Sequence, residues 1–329
     1  MTEITTHTEP KALPPSEIRH LTLSQLNPGN NLQEALSSLE ADVRKQPTSL
    51  APRWALIEML CLLGHWERAL KQLQASAKLA PETGPTAQTQ AQLLRSLVRA
   101  EHQRASVFSG QLLPVPVVDR PQWMEDLARA IAFNAKGQHQ QADPLRRAAL
   151  DAAPTHAMRC VLQNNVQAAN PRANAPVEEG GWAEQRVSWI ADSDTRLGPV
   201  CEFIVAGGYR WVAFADIASV HIERPTRLLD LVWLPATLTL RSTQAGSKAI
   251  HGFIPTRYSG TERVAAEVGS QQRDALVLAH LTHWQDVGET GVFALGQKTL
   301  MGDGVDFPLL DLRELHRAEP ELPTPESRP

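Results

Sequence analysis

The chain has 329 residues, 42% of them hydrophobic and 21% charged, with a formal net charge of −4. That composition belongs to an ordinary folded protein of about two domains, and it lacks the basic footprint of a nucleic-acid binder. Cys61, Cys160 and Cys201 are scattered without CxxC spacing, which argues against a zinc ribbon or a disulfide framework and fits a reducing compartment.

Residues 1–15 are polar, carry Pro10, Pro14 and Pro15, and read as a disordered tail without the apolar core of a secretory signal. No apolar run approaches the roughly 20 residues of a membrane helix. The expectation is a cytoplasmic protein with no membrane partner. A short helix is predicted over 16–26, capped by Ser16. Residues 30–47, 64–81 and 137–154 then repeat one pattern. Each opens on a turn residue (Asn30, Gly64, Gly137), carries an Ala (Ala35, Ala69, Ala142) and closes on a Pro (Pro47, Pro81, Pro154). Pro47 and Pro81 lie 34 residues apart, the period of tetratricopeptide-type helical hairpins. The small residue lets two helices approach, and the proline stops the second. Helices are predicted at 50–63, 86–109, 123–136 and 138–152, with Pro144 expected to kink the last or delay its start, and one further helix at 154–167. Such a solenoid presents a surface to a partner, and its first candidates are Arg53, Trp54 and Glu58.

The composition changes at 170–181, a Pro/Gly-rich linker. Beyond it, 187–190, 201–205, 209–214, 219–222, 229–240 and 249–254 are short runs rich in β-branched and aromatic residues. Gly207–Gly208 signals a hairpin. The segment 274–282 reads as helix or buried strand, and 292–300 and 307–312 as further strands before a Pro/Glu-rich tail. The organisation is thus α+β: an N-terminal tetratricopeptide-like α-solenoid (16–169), a linker (170–181), a mainly antiparallel β-rich domain (182–316) and a tail (317–329).

The stretch from Asp192 to Pro199 holds two carboxylates, Asp192 and Asp194, and Arg196 within one turn. Carboxylates so spaced can share a hard cation. The competing reading, which the missing calcium-loop positions favour, is a structural turn in which Asp194 accepts backbone N–H groups and Arg196 pairs with a carboxylate such as Asp230. His280, His283 and Asp286 place three ligand types close together, the two histidines on one helix face if the segment is helical; the apolar residues between them favour packing, so no metal and no cofactor is expected. Five of the eight tryptophans fall in the β half (Trp182, Trp189, Trp211, Trp233, Trp284) and read first as core, with any exposed one an interface candidate.

Several longer strings resemble the ImpE family, also called TagJ or SciE-type proteins. They are RWALIEMLCLLG (Arg53 to Gly64), WERALKQL (Trp66 to Leu73), Glu101-x-x-Arg104-Ala-x-Val-Phe-x-Gly110, WIADSDTRLGP (Trp189 to Pro199), DLVWLP (Asp230 to Pro235), IPTRY (Ile254 to Tyr258) and ALGQ (Ala294 to Gln297). The chain departs in a longer N-terminal tail and a longer linker. The resemblance implies a cytoplasmic, non-enzymatic accessory factor of bacterial type VI secretion systems that binds the small subunit of the contractile sheath, through a helix near that subunit's N-terminus, and bears indirectly on the ATPase that recycles the sheath. It marks Asp192, Asp194, Arg196, Asp230, Trp233, Arg257, Tyr258 and Gln297 as family motif positions without assigning them a role. The enzyme alternative requires Asp192, Asp194, Arg196, Asp230 and Arg257 to converge in one pocket around a perturbed carboxylate. A third reading makes the β domain a spacer for the repeats.

Overall fold

A computed structural model describes residues 20–23, 31–79, 85–163, 181–241, 249–263 and 269–318. The tail at 1–15, most of the helix at 16–26, the linker at 170–180, the tail from 319, Asn30 and Pro81 lie outside the described residues.

The N-terminal half is helical: α1 (Leu32–Lys45), α2 (Leu50–Leu62), α3 (Trp66–Leu79), α4 (Pro85–Phe108), α5 (Gln122–Asn134) and α6 (His139–Ala152). The expected turn residues close helices. Gly64 (φ 71°) follows α2, where His65 N–H bonds to Leu60 C=O and Gly64 N–H to Cys61 C=O, and Gly137 (φ 71°) follows α5 in the same way. This is the left-handed cap that satisfies the last carbonyls of a helix and suits a residue without Cβ. Ala69 and Ala142 are fully buried, as close helix approach demands. Pro144 neither delays nor ends α6, which runs unbroken from His139. Helix α2 is buried from Arg53 to Leu62 and apolar on every face but for Arg53 and Glu58, as suits a central helix.

The remaining elements are β1 (Val115–Pro116), β2 (Met158–Gln163), β3 (Trp182–Val187), β4 (Ala191–Asp192), β5 (Val200–Val205), β6 (Gly208–Ala213), β7 (Ile217–Ile222), β8 (Trp233–Leu240), β9 (Ala249–Pro255), α7 (Ser270–Val277), β10 (Thr282–Val287), β11 (Gly291–Gly296), β12 (Thr299–Gly302), β13 (Val305–Pro308) and β14 (Leu312–Arg317). Nine of them form one sheet in the order β1-β6-β5-β9-β8-β7-β14-β2-β3, antiparallel throughout except for the β1–β6 pair. A β10–β11 hairpin and a small β13-β12-β4 sheet complete it. Helices followed by a mainly antiparallel sheet bear out the α+β class.

Several local expectations are corrected. Of the helix expected at 154–167, the described residues 154–163 form none: Met158–Gln163 is a strand between β14 and β3, with Met158 and Cys160 turned into the core. The hairpin turn lies one residue earlier than expected, on Ala206 (φ 49°) and Gly207 (φ 70°), two positive angles in succession that match the strand twist. Of the segment at 274–282 only 274–277 belong to α7 and Thr282 opens β10, so His280, in the turn between them, and His283, on β10, share no helix face. The strand expected at 292–300 is two, β11 and β12, broken where Gly296 takes φ 89°.

Strand alternation assigns the two sheet faces. On β5, Val200 and Ile204 join the core shared with the helices, while Cys201 and Phe203 enter a second core with Leu300 and Phe307. Trp211 and Trp233 are buried, but Trp182 and Trp284 are exposed at 64% and 40%. Among the described residues no helix is long and apolar enough to cross a membrane.

Candidate functional site

The turn from Asp192 to Pro199 links β4 to β5 and packs under α6. Its geometry follows from its side chains. Asp192 Oδ1 accepts the Asp194 N–H (3.0 Å), and Asp194 Oδ1 accepts the Arg196 N–H (2.9 Å), two successive side-chain-closed turns. Gly198 (φ 46°) then reverses the chain where an added Cβ would lie 2.4 Å from Leu150 Cδ2 of α6. Arg196 does pair with a carboxylate, but with its neighbour Asp194, not Asp230. Its guanidinium stacks over the rings of Phe293 (4.5 Å) and Phe108 (5.1 Å). Asp194 also accepts the Ala294 N–H (2.9 Å), fastening the turn to β11.

Asp192 belongs to a buried ionic chain. Its Oδ2 lies 2.6 Å from Lys298 Nζ, which lies 2.8 Å from Glu202 Oε2. Glu202 receives Arg104 of α4 in a two-pronged contact (Nε to Oε1, 2.7 Å; Nη2 to Oε2, 2.9 Å) and the Tyr209 hydroxyl (2.6 Å). Trp211 Nε1 donates to Tyr209 (2.8 Å). Tyr258 donates its hydroxyl to Asp192 Oδ1 (3.0 Å) and accepts the Thr299 N–H (3.0 Å). Burial opposes the charge on Glu202, yet Arg104 and Lys298 hold its carboxyl below the usual range. Burial opposes the charge on Lys298 as well, and Asp192 and Glu202 hold its ammonium above the usual lysine range. Asp192 goes the other way: burial pushes it up to about 6, against the pull of Lys298. A buried charge is tolerated only when paired and hydrogen-bonded, and here each cation has a carboxylate.

The other motif positions have separate duties. Asp230 Oδ2 accepts the Thr226 and Arg227 N–H groups (2.8 Å each) and caps the short turn Leu228–Leu231. Arg257 donates to Leu62 C=O (2.9 Å) and Val277 C=O (2.6 Å), tying together the ends of α2 and α7, and burial lowers its pKa to about 10. Trp233 Nε1 donates to Glu101 (2.9 Å), and Gln297 Nε2 to Ala279 C=O (2.6 Å). Thus Asp192, Asp194 and Arg196 come together, whereas Asp230 and Arg257 do not join them, and the five-residue pocket of the enzyme alternative does not form. Among the described residues no three His, Cys, Asp or Glu side chains are placed to hold a metal ion.

Arg53, Trp54 and Glu58 do not line an open groove. Trp54 is 2% exposed and belongs to the core shared with the sheet. Arg53 donates to Gln72 Oε1 and Pro47 C=O (2.6 Å each). Glu58 is covered by the chain's own residues: His20 Nδ1 lies 2.5 Å from Oε1, and Leu21 N–H donates to Oε2 (2.7 Å).

The residues that sequence reasoning missed are Glu202, Lys298 and Tyr209. A signal existed for Glu202, a lone acid inside the apolar strand Val200–Val205; such a residue is paired when buried.

Beside the ionic chain lies a cavity of about 240 Å³ between the α6–β2 connection and the motif turn. Leu150, Met158, Trp189, Ile190, Phe214 and Met301 make it apolar. Ser193 also lines it, and the Ser193 hydroxyl is buried without a hydrogen-bond partner among the described residues.

Comparison with known proteins agrees over most of the chain. A family model described as ImpE protein matches residues 184–316. The type VI secretion system accessory component TagJ of Pseudomonas aeruginosa is 34% identical over 284 residues, covering 86% of this chain and 86% of that one. The crystal structure of protein VPA1032 from Vibrio parahaemolyticus matches with a TM-score of 0.70 at 25% identity, over 88% of this chain and 95% of that chain.

Proposed function

This chain belongs to the ImpE family, and from that premise we propose that it is a cytoplasmic, non-catalytic accessory protein of a type VI secretion system that binds the small subunit of the contractile sheath through that subunit's N-terminal helix. Through that contact it biases sheath assembly or the ATPase-driven recycling of the sheath. The observation that carries the reading is the likeness, over 86% of both chains, to a protein named as an accessory component of such a system. The chemistry of the fold is in keeping with it. Asp192, Asp194, Glu202 and Lys298 are spent on one another, on Arg104 and Arg196 and on the backbone, each 3% exposed or less, which suits a scaffold. A helical partner is recognised through apolar anchors at i, i+3, i+4 and i+7.

The test is a pull-down of the full chain with the small sheath subunit of the same genome, with and without that subunit's N-terminal helix. Retention that requires the helix supports the reading; no retention of either form removes it. A second reading, an enzyme or metal site at the motif turn, draws on the raised carboxyl of Asp192 in the cavity wall. It predicts bound metal in the purified protein, which elemental analysis reads directly.

A further inference from the structure

We propose that the cavity between the α6–β2 connection and the Asp192–Pro199 turn is the anchor pocket for the partner: it receives one bulky apolar side chain whose neighbouring residue is acidic. This rests on the reading above and names the surface and chemistry that serve it.

Size and lining select the occupant. The cavity measures about 240 Å³. An apolar cavity of about 150 Å³ takes benzene, and cofactor-sized pockets run from about 300 Å³ upward. The space therefore suits a single Leu, Met or Phe side chain. Its walls include Met158, Met301 and Trp189. Thioethers repack around irregular apolar groups, and tryptophan recurs at interface centres.

Charge selects the neighbour. His156 and Ala215 form one wall of the cavity. Arg317 Nη2 donates to His156 Nδ1 (2.9 Å), and both Arg317 (3.4 Å) and Arg241 (3.2 Å) donate through Nη1 to the Ala215 carbonyl. Two guanidinium groups thus converge on the wall. Asp216 faces Arg241 without closing to an ion pair, and among the described residues neither arginine has a carboxylate at salt-bridge distance. A carboxylate entering beside the apolar anchor meets a pair of planar donors with groups to spare.

Methionine methyl groups read the pocket directly. The chain has five methionines. Met158 and Met301 line the cavity, while Met59 and Met124 sit in the core shared by helices and sheet and serve as internal controls. The full chain, labelled with ¹³C at the methionine methyls, is titrated with the small sheath subunit while binding is followed by calorimetry. The expected result is a saturable shift of the Met158 and Met301 signals with those of Met59 and Met124 unmoved. Reversal by Arg241→Glu with Arg317→Glu is expected to weaken binding roughly tenfold or more, since like charge then faces like. Should that double variant lose its Met59 and Met124 signals, Arg241→Glu alone, at an exposed side chain, replaces it. Binding that leaves Met158 and Met301 unmoved overturns the pocket and spares the proposed function. Binding that ignores the arginine reversal overturns the acidic neighbour. No binding of the subunit overturns both the pocket and the function on which it rests.

Discussion

Replacing Glu202 by Gln keeps the shape of the buried ionic chain and removes one charge from its centre. Glu202 is 1% exposed and answers two cations, Arg104 at 2.7 Å and Lys298 at 2.8 Å. With the carboxylate gone, the one carboxylate left near Arg104 among the described residues is Glu101, at 3.6 Å, beside its bond to the Arg257 carbonyl, and Lys298 is left with Asp192. Removing one partner of a buried ion pair destabilises by about 3–5 kcal/mol, a large share of the ~5–15 kcal/mol that holds a typical protein folded. At roughly 2–4 °C per kcal/mol the melting point falls by roughly 6–20 °C. Urea denaturation followed by circular dichroism measures the loss. The control is Glu40→Gln, which breaks the solvent-facing pair with Arg68 and should cost less than about 1 kcal/mol. If Glu202→Gln loses no more than that control, the ionic chain is not what joins α4 to the sheet, and the structural assignment of Asp192 and Lys298 fails with it.

Trp54→Ala should destabilise by about 3–5 kcal/mol, the range for emptying a large core site, because Trp54 is 2% exposed in the main core; a thermal melt checks this, and an unchanged melt would place Trp54 on the surface. Gly296→Ala should cost more than the ~1 kcal/mol of an ordinary left-handed glycine, since at φ 89° its Cβ would lie 2.0 Å from the Leu281 carbonyl oxygen; an unchanged denaturation midpoint would contradict the geometry. Asp192 has its folded pKa raised to about 6, so its contribution to stability is present below the ordinary carboxylate range and is lost as pH rises through about 6. Midpoints taken at several pH values should therefore show a decline toward neutrality that Asp192→Asn abolishes. The depressed Glu202 contributes in the opposite sense, losing stability only as pH falls below the ordinary carboxylate range.

Local chemistry wrote much of the fold into the sequence. Gly64 and Gly137 end helices because only a residue without Cβ takes φ 71° easily. Ala69 and Ala142 mark close helix contacts, and short runs rich in β-branched and aromatic residues mark β5 to β9. The family strings were legible too, and they carry the assignment to ImpE. What tertiary structure alone decided is what depends on partners far along the chain. Met158–Gln163 is a strand because β14, some 150 residues later, offers it a hydrogen-bonding edge; six residues have too little period of their own to choose. Arg196 finds Asp194, two residues away in the same turn, while Asp230 caps a different turn at Thr226 and Arg227. Arg53, Trp54 and Glu58 were read as a surface because their helix was considered without its cover. Folding lays His20–Leu21 over Glu58 and the sheet against Trp54. Likewise Arg104, Glu202 and Lys298 sit 98 and 96 positions apart, and only folding brings their charges together. A charge pair acts through space, not along the chain, so its meaning appears only when the elements that carry it are packed.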